Sequence, residues 1–138
     1  MNKIFLDTSI FIRYFTADDE KKFRDCVKLL KTIEKEGKIR PYTSNIVMLE
    51  VLFVLTRVYK FSKKDELDGV QKILNLRNLT LIDKTDTERA LKLYKKHNIK
   101  YADCLIASQL PSGIKLITYD EEFSKLKALS VSTPTEVA

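Results

Sequence analysis

The 138-residue sequence predicts an α/β fold in which a central parallel sheet lies between layers of helices. Short apolar runs typical of strands alternate along the chain with longer segments whose apolar residues recur at helical spacing. Such alternation is typical of parallel sheets, because each connecting helix packs back onto the sheet. With only three Gly and three Pro, the chain has no linker-like stretch, and we expect one domain over residues 1–138.

The first strand and the first two helices follow from the spacing of apolar residues. Residues 3–6 form a short apolar run, and residues 10–15 then carry apolar side chains at helical spacing. Residues 19–36 alternate an apolar face with Lys and Glu, and Gly37 follows where this helix is expected to end. The chain therefore begins as strand, helix, helix.

The middle of the chain predicts two strands around two helices. Residues 39–42 form a short strand, and Ser44 is placed to cap a very apolar helix over residues 46–58. We expect that helix to be mostly buried. Residues 63–75 predict a further helix, and residues 79–82 form a strand rich in Leu and β-branched side chains.

The last third of the chain repeats the alternation of strands and helices. Residues 86–97 predict a helix with Ala90, Leu91 and Tyr94 on its inward face. The remaining elements are an apolar helix over 101–110, a strand over 114–118, a short helix over 120–126 and a strand over 129–132. This order completes a parallel three-layer arrangement.

Composition excludes several classes of site. Cys26 and Cys104 lack metal-binding spacing and lie in apolar helical patterns, so we expect buried free thiols and no zinc module. The single histidine, His97, excludes a mechanism with two imidazoles. The apolar run over residues 51–55 is far shorter than the roughly 18 residues of a membrane helix. We expect a cytoplasmic protein, not bound to membranes, whose chemistry depends on carboxylates.

Four acids occupy positions that a solvated surface does not explain. Asp7 ends the first strand, Asp120 follows the strand over 114–118, and Asp103 opens an apolar helix. Glu50 has apolar residues as its helical neighbours. Ligands of open parallel sheets bind outside the carboxyl ends of the strands, so we expect the four acids to face one rim.

Each acid also has a simpler structural interpretation. The three aspartates stand at predicted helix starts, where a carboxylate caps free N–H groups. Glu50 lacks a cation one helical turn away, although its side chain could extend past the core to solvent. The combination favours a shared site, because four such acids come from four remote segments and can all be assigned to one end of the sheet. Four neighbouring carboxylates repel one another unless a cation neutralises them. Oxygen ligands select a hard ion such as Mg²⁺ or Mn²⁺.

Four acid-containing segments cover nearly the whole chain in a specific order. In sequence they are LDTSIFIRYF (6–15), TSNIVMLEVLFVL (43–55), YADCLIASQL (101–110) and ITYDEEFSKL (117–126). They resemble the motifs of the PIN-domain metal-dependent nucleases, and within that family the VapC-like toxin ribonucleases. The resemblance implies a PIN-like fold, endoribonuclease activity, and Mg²⁺ or Mn²⁺ held by Asp7, Glu50, Asp103 and Asp120.

The same resemblance implies roles for neighbouring residues and for partners. Ser9 and Thr118 stand where the family has hydroxyls that orient ligands or waters. Glu122 matches a less regular family acid, and Asn45 lies near the family's polar helix start, so both are further candidates. The implied partners are an RNA substrate, a second copy of the chain in a homodimer, and the antitoxin protein of a type II toxin–antitoxin pair.

Two alternatives stay open at this point: a stand-alone PIN nuclease in RNA maturation, and a PIN-like module that binds RNA or protein without cutting. The net charge of +6 suits a polyanionic partner under each of them. An aspartyl-phosphate phosphatase is excluded because Thr8 and Ser9, not a second Asp, follow Asp7. The sequence also lacks a Gly-rich phosphate loop.

Overall fold

The computed structural model describes residues 2–137 and confirms the predicted α/β fold, a parallel sheet flanked by helices. Two short 3₁₀ helices, Glu121–Lys125 and Pro134–Glu136, lie near the C-terminal end of the described chain. The other elements are β1 (Asn2–Leu6), α1 (Thr8–Thr16), α2 (Glu20–Glu36), β2 (Ile39–Ser44), α3 (Asn45–Arg57), α4 (Lys63–Leu74), β3 (Thr80–Ile82), α5 (Thr87–Lys96), α6 (Tyr101–Gln109), β4 (Lys115–Ile117) and β5 (Ser130–Ser132).

Strand β1 is the centre of the sheet. The strand order is β3-β2-β1-β4-β5, and all neighbouring strands are parallel. Ile4, Phe5 and Leu6 are almost completely buried, which explains why β1 is a continuous apolar run in the sequence. The chain passes from β1 through β2 to β3 on one side and then crosses to β4 on the other. The strand order therefore reverses next to β1.

The register aligns the carboxyl ends of the strands along one edge. Leu6 pairs with Ile117, and Ser44 pairs with Ile82. Residues that directly follow these strands, including Asp7, therefore emerge at the same edge. Such an edge, at the point where strand order reverses, is where open α/β sheets bind ligands.

The predicted helix boundaries agree closely with the structure. The Ser44 hydroxyl accepts a hydrogen bond of 3.3 Å from the Val47 N–H and caps α3. Helix α2 ends at Gly37, whose φ of +65° lies in the left-handed region that glycine adopts without strain. Capping and glycine signals therefore indicated both boundaries correctly.

The expectation that α3 is mostly buried is wrong. Val47, Val51 and Leu55 form a fully buried stripe, whereas Leu49 is 67% and Phe53 61% exposed. The residues beside this stripe, Ile46, Met48 and Val54, are only partly buried, because an amphipathic helix buries the face that meets the core. The apolar residues on the opposite side of α3 face solvent in the described protomer.

The inward face predicted for α5 is also only partly correct. Ala90 is fully buried, but Leu91 is 51% and Tyr94 53% exposed. The small Ala90 marks where α5 packs closely, and the two larger side chains lie outside the core. Their helical spacing is compatible with either arrangement.

One expectation from composition, that of buried free thiols, agrees with the structure. Cys26 and Cys104 are fully buried free cysteines. Among residues 2–137, no helix combines the length and the apolar character needed to cross a bilayer.

Candidate functional site

The four singled-out acids line one pocket. Asp7, Glu50, Asp103 and Asp120 surround a cavity of about 260 Å³, here called the acid pocket. It lies at the edge where β1 and β4 end, beside the reversal of strand order. The four side chains come from four separate segments of the chain, as the sheet topology led us to expect.

Asp7 is held at the end of β1 by backbone and side-chain hydrogen bonds. Its N–H donates to the Ile117 carbonyl at 3.1 Å, and its carboxylate accepts a 2.6 Å bond from the Thr118 hydroxyl. The side chain is almost fully buried and does not cap α1. Burial raises the pKa of Asp7 to about 6, although the Thr118 hydrogen bond opposes this shift. The capping interpretation is therefore wrong for Asp7.

Thr118 connects Asp7 to Asp120. Its hydroxyl accepts a 2.9 Å hydrogen bond from the Asp120 N–H while it donates to Asp7. Ser9 completes the group: its hydroxyl lies 3.3 Å from that of Thr118 and accepts a 3.0 Å bond from the Tyr119 N–H. These two hydroxyls fix the loop after β4 against the start of α1, which sets the separation of Asp7 and Asp120.

Asp120 does act as a helix cap. Its carboxylate accepts a 3.0 Å hydrogen bond from the Glu122 N–H at the start of the 3₁₀ helix. This bond uses Oδ1 and orients the side chain while it lines the acid pocket. For Asp120, capping and participation in a shared site are compatible.

Asp103 is the most weakly satisfied acid of the four. It lies in the first turn of α6, is 2% exposed, and its Oδ2 has no hydrogen-bond partner among the described residues. Burial raises its pKa to about 7. The positive charge of Lys100 opposes this rise, while Asp120, Asp7 and Glu50 add to it. The four acids are thus close enough to influence one another electrostatically.

Glu50 has polar partners, although its apolar helical neighbours in the sequence suggested an isolated carboxylate. Its Oε1 accepts a 2.9 Å hydrogen bond from the Thr8 hydroxyl, and its Oε2 lies 4.0 Å from the Lys100 ammonium. Both partners come from segments remote in sequence. The Glu50 carboxylate is therefore oriented and partly neutralised at the rim of the acid pocket.

The donor chemistry of the acid pocket fits a hard divalent cation. Its four acids offer only oxygen ligands, and the unpartnered Oδ2 of Asp103 is an acceptor without a protein donor. Among residues 2–137, no three His, Cys, Asp or Glu side chains close around a single point. The carboxylates instead flank the pocket, which suits an ion such as Mg²⁺ that keeps several waters in its coordination sphere.

The two further candidates lie outside the acid pocket. The Asn45 side chain donates to the Asp83 carbonyl at 2.7 Å and accepts from Gln109 Nε2 at 3.1 Å. Asn45 therefore links the start of α3 to the loop after β3 and to the end of α6. Glu122 forms a 2.6 Å ion pair with Lys125 and lines a different cleft.

Sequence analysis did not identify all of the residues at this site. Thr8, Arg13, Tyr59 and Lys100 also line the acid pocket. Lys100 could have been identified from the sequence, because it occupies the N-cap of α6. A lysine at that position supplies no acceptor and opposes the helix dipole. Arg13 pairs with Asp18 at 3.1 Å. Its sequence context does not indicate a place in the acid pocket.

A larger cavity lies elsewhere and is apolar. It has a volume of about 580 Å³ between α1, α2 and α4, with Phe11, Phe15 and Leu30 among its lining residues. Glu34 is the one acid among its described lining residues. Despite its larger volume, this cavity therefore lacks the carboxylate group that would bind a cation.

The raised pKa of Asp103 predicts a pH-dependent cost in stability. From about pH 4, the ordinary range of an aspartate, to its folded value of about 7, the folded state holds a proton that the unfolded chain has lost. The stability of the metal-free protein should therefore fall as pH rises through this window. Asp103→Asn should be less sensitive to pH, because it removes that titration.

Urea melts of both proteins in chelator, at several pH values across the window, check this prediction. The stability of Asp103→Asn relative to wild type should increase as pH rises. A constant difference would contradict the raised pKa of Asp103, because titrations remote from the acid pocket are the same in both proteins and cancel.

Comparisons with known proteins agree with this fold. Residues 4–129 match the family model of the PIN domain. A VapC ribonuclease of Aquifex aeolicus (strain VF5) is 25% identical over 123 residues, which cover 88% of this chain and 90% of that protein.

Two solved structures share the architecture at lower identity. VapC20 of Mycobacterium tuberculosis, a sarcin–ricin loop cleaving toxin, has a TM-score of 0.71 at 20% identity, covering 89% of this chain and 94% of that one. VapBC2 of Rickettsia felis, bound to a promoter DNA fragment, has a TM-score of 0.67 at 20% identity, covering 95% and 98%. Because the PIN model spans nearly all of the sequence, the chain belongs to the PIN-domain family.

Proposed function

We propose that this protein is a divalent-metal-dependent endoribonuclease that acts as the toxin of a type II toxin–antitoxin pair. The observation that carries the proposal is the meeting of four carboxylates, from four segments of the chain, in one pocket at the edge of the sheet. Membership of the PIN family and the VapC relatives support the same reaction class.

In this proposal, Asp7, Glu50, Asp103 and Asp120 hold Mg²⁺ or Mn²⁺. When bound, such an ion activates water for attack on a phosphodiester and stabilises charge on the attacking and leaving oxygens. The carboxylates supply the negative charge that binds the ion, and the burial of Asp7 and Asp103 limits competition from bulk water. Hydrolysis by water needs no covalent intermediate, and the resemblance to the PIN nucleases implies products with a 5′-phosphate and a 3′-hydroxyl.

Hydroxyl groups keep the acids in place for this reaction. Thr118 donates to Asp7, and Thr8 donates to Glu50. Each hydrogen bond restricts the rotation of a carboxylate that would otherwise turn away from its like-charged neighbours. Thr118 and Thr8 therefore serve as positioning residues, consistent with hydrogen-bonded partners that orient metal ligands in other proteins. Ser9 supports this arrangement through its 3.3 Å contact with the Thr118 hydroxyl.

RNA is the proposed substrate and an antitoxin the proposed partner. The relatives include a VapC ribonuclease and a toxin that cleaves the sarcin–ricin loop, and VapBC2 is a solved neighbour. These comparisons favour a toxin over a stand-alone nuclease in RNA maturation. The presence of all four acids favours a nuclease over a silent binding module. The net charge of +6 attracts the RNA backbone.

A homodimer is proposed because α3 exposes apolar side chains. Leu49 and Phe53 stand one helical turn apart on its outer side, and the Arg57 guanidinium lies 5.9 Å from the centre of the Phe53 ring. Exposed apolar patches of this kind mark interaction surfaces. A second copy of the chain would cover this face in a symmetric dimer.

Asp103→Asn tests the proposed reaction directly. Because the variant removes one carboxylate but keeps the size of the side chain, cleavage of labelled RNA in Mn²⁺ should fall at least tenfold, as even indirect losses at metal sites typically cost about 10–100-fold. Its melting temperature in chelator should not drop. Expression in cells should arrest growth for wild type and not for Asp103→Asn.

The matched control is Asp68→Asn, which makes the same change at an exposed position on α4. It should cut RNA and arrest growth like wild type. If Asp103→Asn keeps wild-type cleavage, the assignment of Asp103 to the metal site is wrong.

Phe53→Arg tests the dimer. A charged side chain at the centre of an apolar interface disfavours association, so wild type should sediment as a dimer and Phe53→Arg as a monomer. Leu67→Arg, at an exposed leucine of α4, is the control and should remain dimeric. A monomeric wild type, or a dimeric Phe53→Arg, would rule out this interface.

A further inference from the structure

A second polar cleft opens beside the acid pocket, and the proposed chemistry does not use it. Its volume is about 850 Å³, within the range of roughly 300–1,000 Å³ that ligand sites occupy. We call it the basic cleft, defined by Tyr94, His97, Lys100, Tyr101, Glu122 and Lys125. Lys100 lines both cavities, so the basic cleft adjoins the acid pocket.

Lys100 and Lys125 against Glu122 leave the basic cleft with one excess positive charge, opposite in sign to the acid pocket. Its single acid among the defining residues, Glu122, is neutralised by a 2.6 Å ion pair with Lys125. The Lys125 ammonium also donates to the Asn98 carbonyl at 3.1 Å. This second bond ties the segment before α6 to the 3₁₀ helix that follows Asp120. The wall of the basic cleft is therefore fixed relative to the acid pocket.

Lys100 stands at the boundary of the two cavities. Its ammonium lies 4.0 Å from Glu50 Oε2, and its side chain is 66% exposed. As the N-cap of α6 it makes no side-chain capping bond, and its charge opposes the helix dipole. Helix stability does not explain a lysine here, whereas a phosphate that enters between the two cavities would meet its ammonium.

Tyr94 gives the basic cleft an exposed aromatic ring. Its centroid lies 5.7 Å from that of Tyr101, with the ring planes at 79°. This edge-to-face contact holds Tyr94 in place while about half of its surface remains in solvent. Proteins that bind single-stranded nucleic acids stack bases on such rings beside basic side chains.

We propose that the basic cleft binds the nucleotide that flanks the cleaved phosphodiester of a single-stranded RNA. Tyr94 stacks on its base, and Lys100 contacts its backbone phosphate. The inference rests on the proposed function and adds to it a subsite for substrate. It assigns to the basic cleft the part of RNA binding that the acid pocket, lined by four acids, does not supply.

Steady-state cleavage of a fluorescein-labelled single-stranded RNA of mixed sequence tests this subsite. Tyr94→Ala should raise KM about tenfold, the effect of losing one stacked base, and leave kcat within about twofold. Tyr94→Phe keeps the ring and should restore KM to within about twofold. Equal melting temperatures of the three proteins exclude a folding defect.

Binding of the same RNA isolates the phosphate contact. Anisotropy titrations in the Asp103→Asn background, in chelator so that the RNA stays intact and at several salt concentrations, give the dependence of affinity on salt. Lys100→Ala should reduce the slope of log K against log salt by about 0.7, the value for one phosphate contact of a single strand. Lys64→Ala, an exposed lysine of α4, is the control and should leave the slope unchanged.

The outcomes separate this inference from the proposed function. Unchanged KM in Tyr94→Ala, or an unchanged salt slope in Lys100→Ala, would overturn the subsite. A loss in Tyr94→Ala that is equally large for a fully paired RNA duplex would also overturn it, because paired bases cannot stack on the ring. If wild type cuts no RNA, the proposed function fails, and the binding titrations alone then decide whether the basic cleft holds RNA.

Discussion

Repulsion among four carboxylates at one edge of the sheet is the constraint on which the site depends. The pKa values of Asp7 and Asp103 rise because both side chains are buried, and the neighbouring acids add to the effect. The fold offsets this cost with the Thr118 and Thr8 hydroxyls and the Lys100 ammonium. These contacts are fewer than four carboxylates can accept, so the site keeps negative charge that a cation can bind.

The topology of the sheet places this charge where substrate can reach it. Asp7 and Asp120 follow two adjacent parallel strands, while Asp103 and Glu50 approach from helices. Beside them the basic cleft presents the Lys100 ammonium and the exposed ring of Tyr94. In our proposal, the acid pocket holds the ion that promotes hydrolysis, and the basic cleft binds the flanking nucleotide of the RNA. Lys100 lines both cavities.

The sequence was sufficient to predict the sheet, its helices and the shared rim of the acids, because strand ends and capping signals are local. It could not predict the partners of Glu50, since Thr8 and Lys100 lie in remote segments. It also misplaced Phe53 and Tyr94, because helical periodicity shows that apolar residues share a face but not whether that face meets the core, another molecule or solvent. The exposure of both side chains underlies the two interaction surfaces proposed above.

The melting temperature of the chelator-stripped protein across a Mn²⁺ titration tests the central claim most directly. If the four acids form one cation site, binding to the folded state alone stabilises it, by about 2.7 kcal/mol when free Mn²⁺ is about 100 times its dissociation constant. The account predicts a rise that saturates in wild type and Asp68→Asn and is strongly reduced in Asp7→Asn and Asp120→Asn. A flat melting temperature in wild type across millimolar Mn²⁺, or an equal rise in all four proteins, would contradict it.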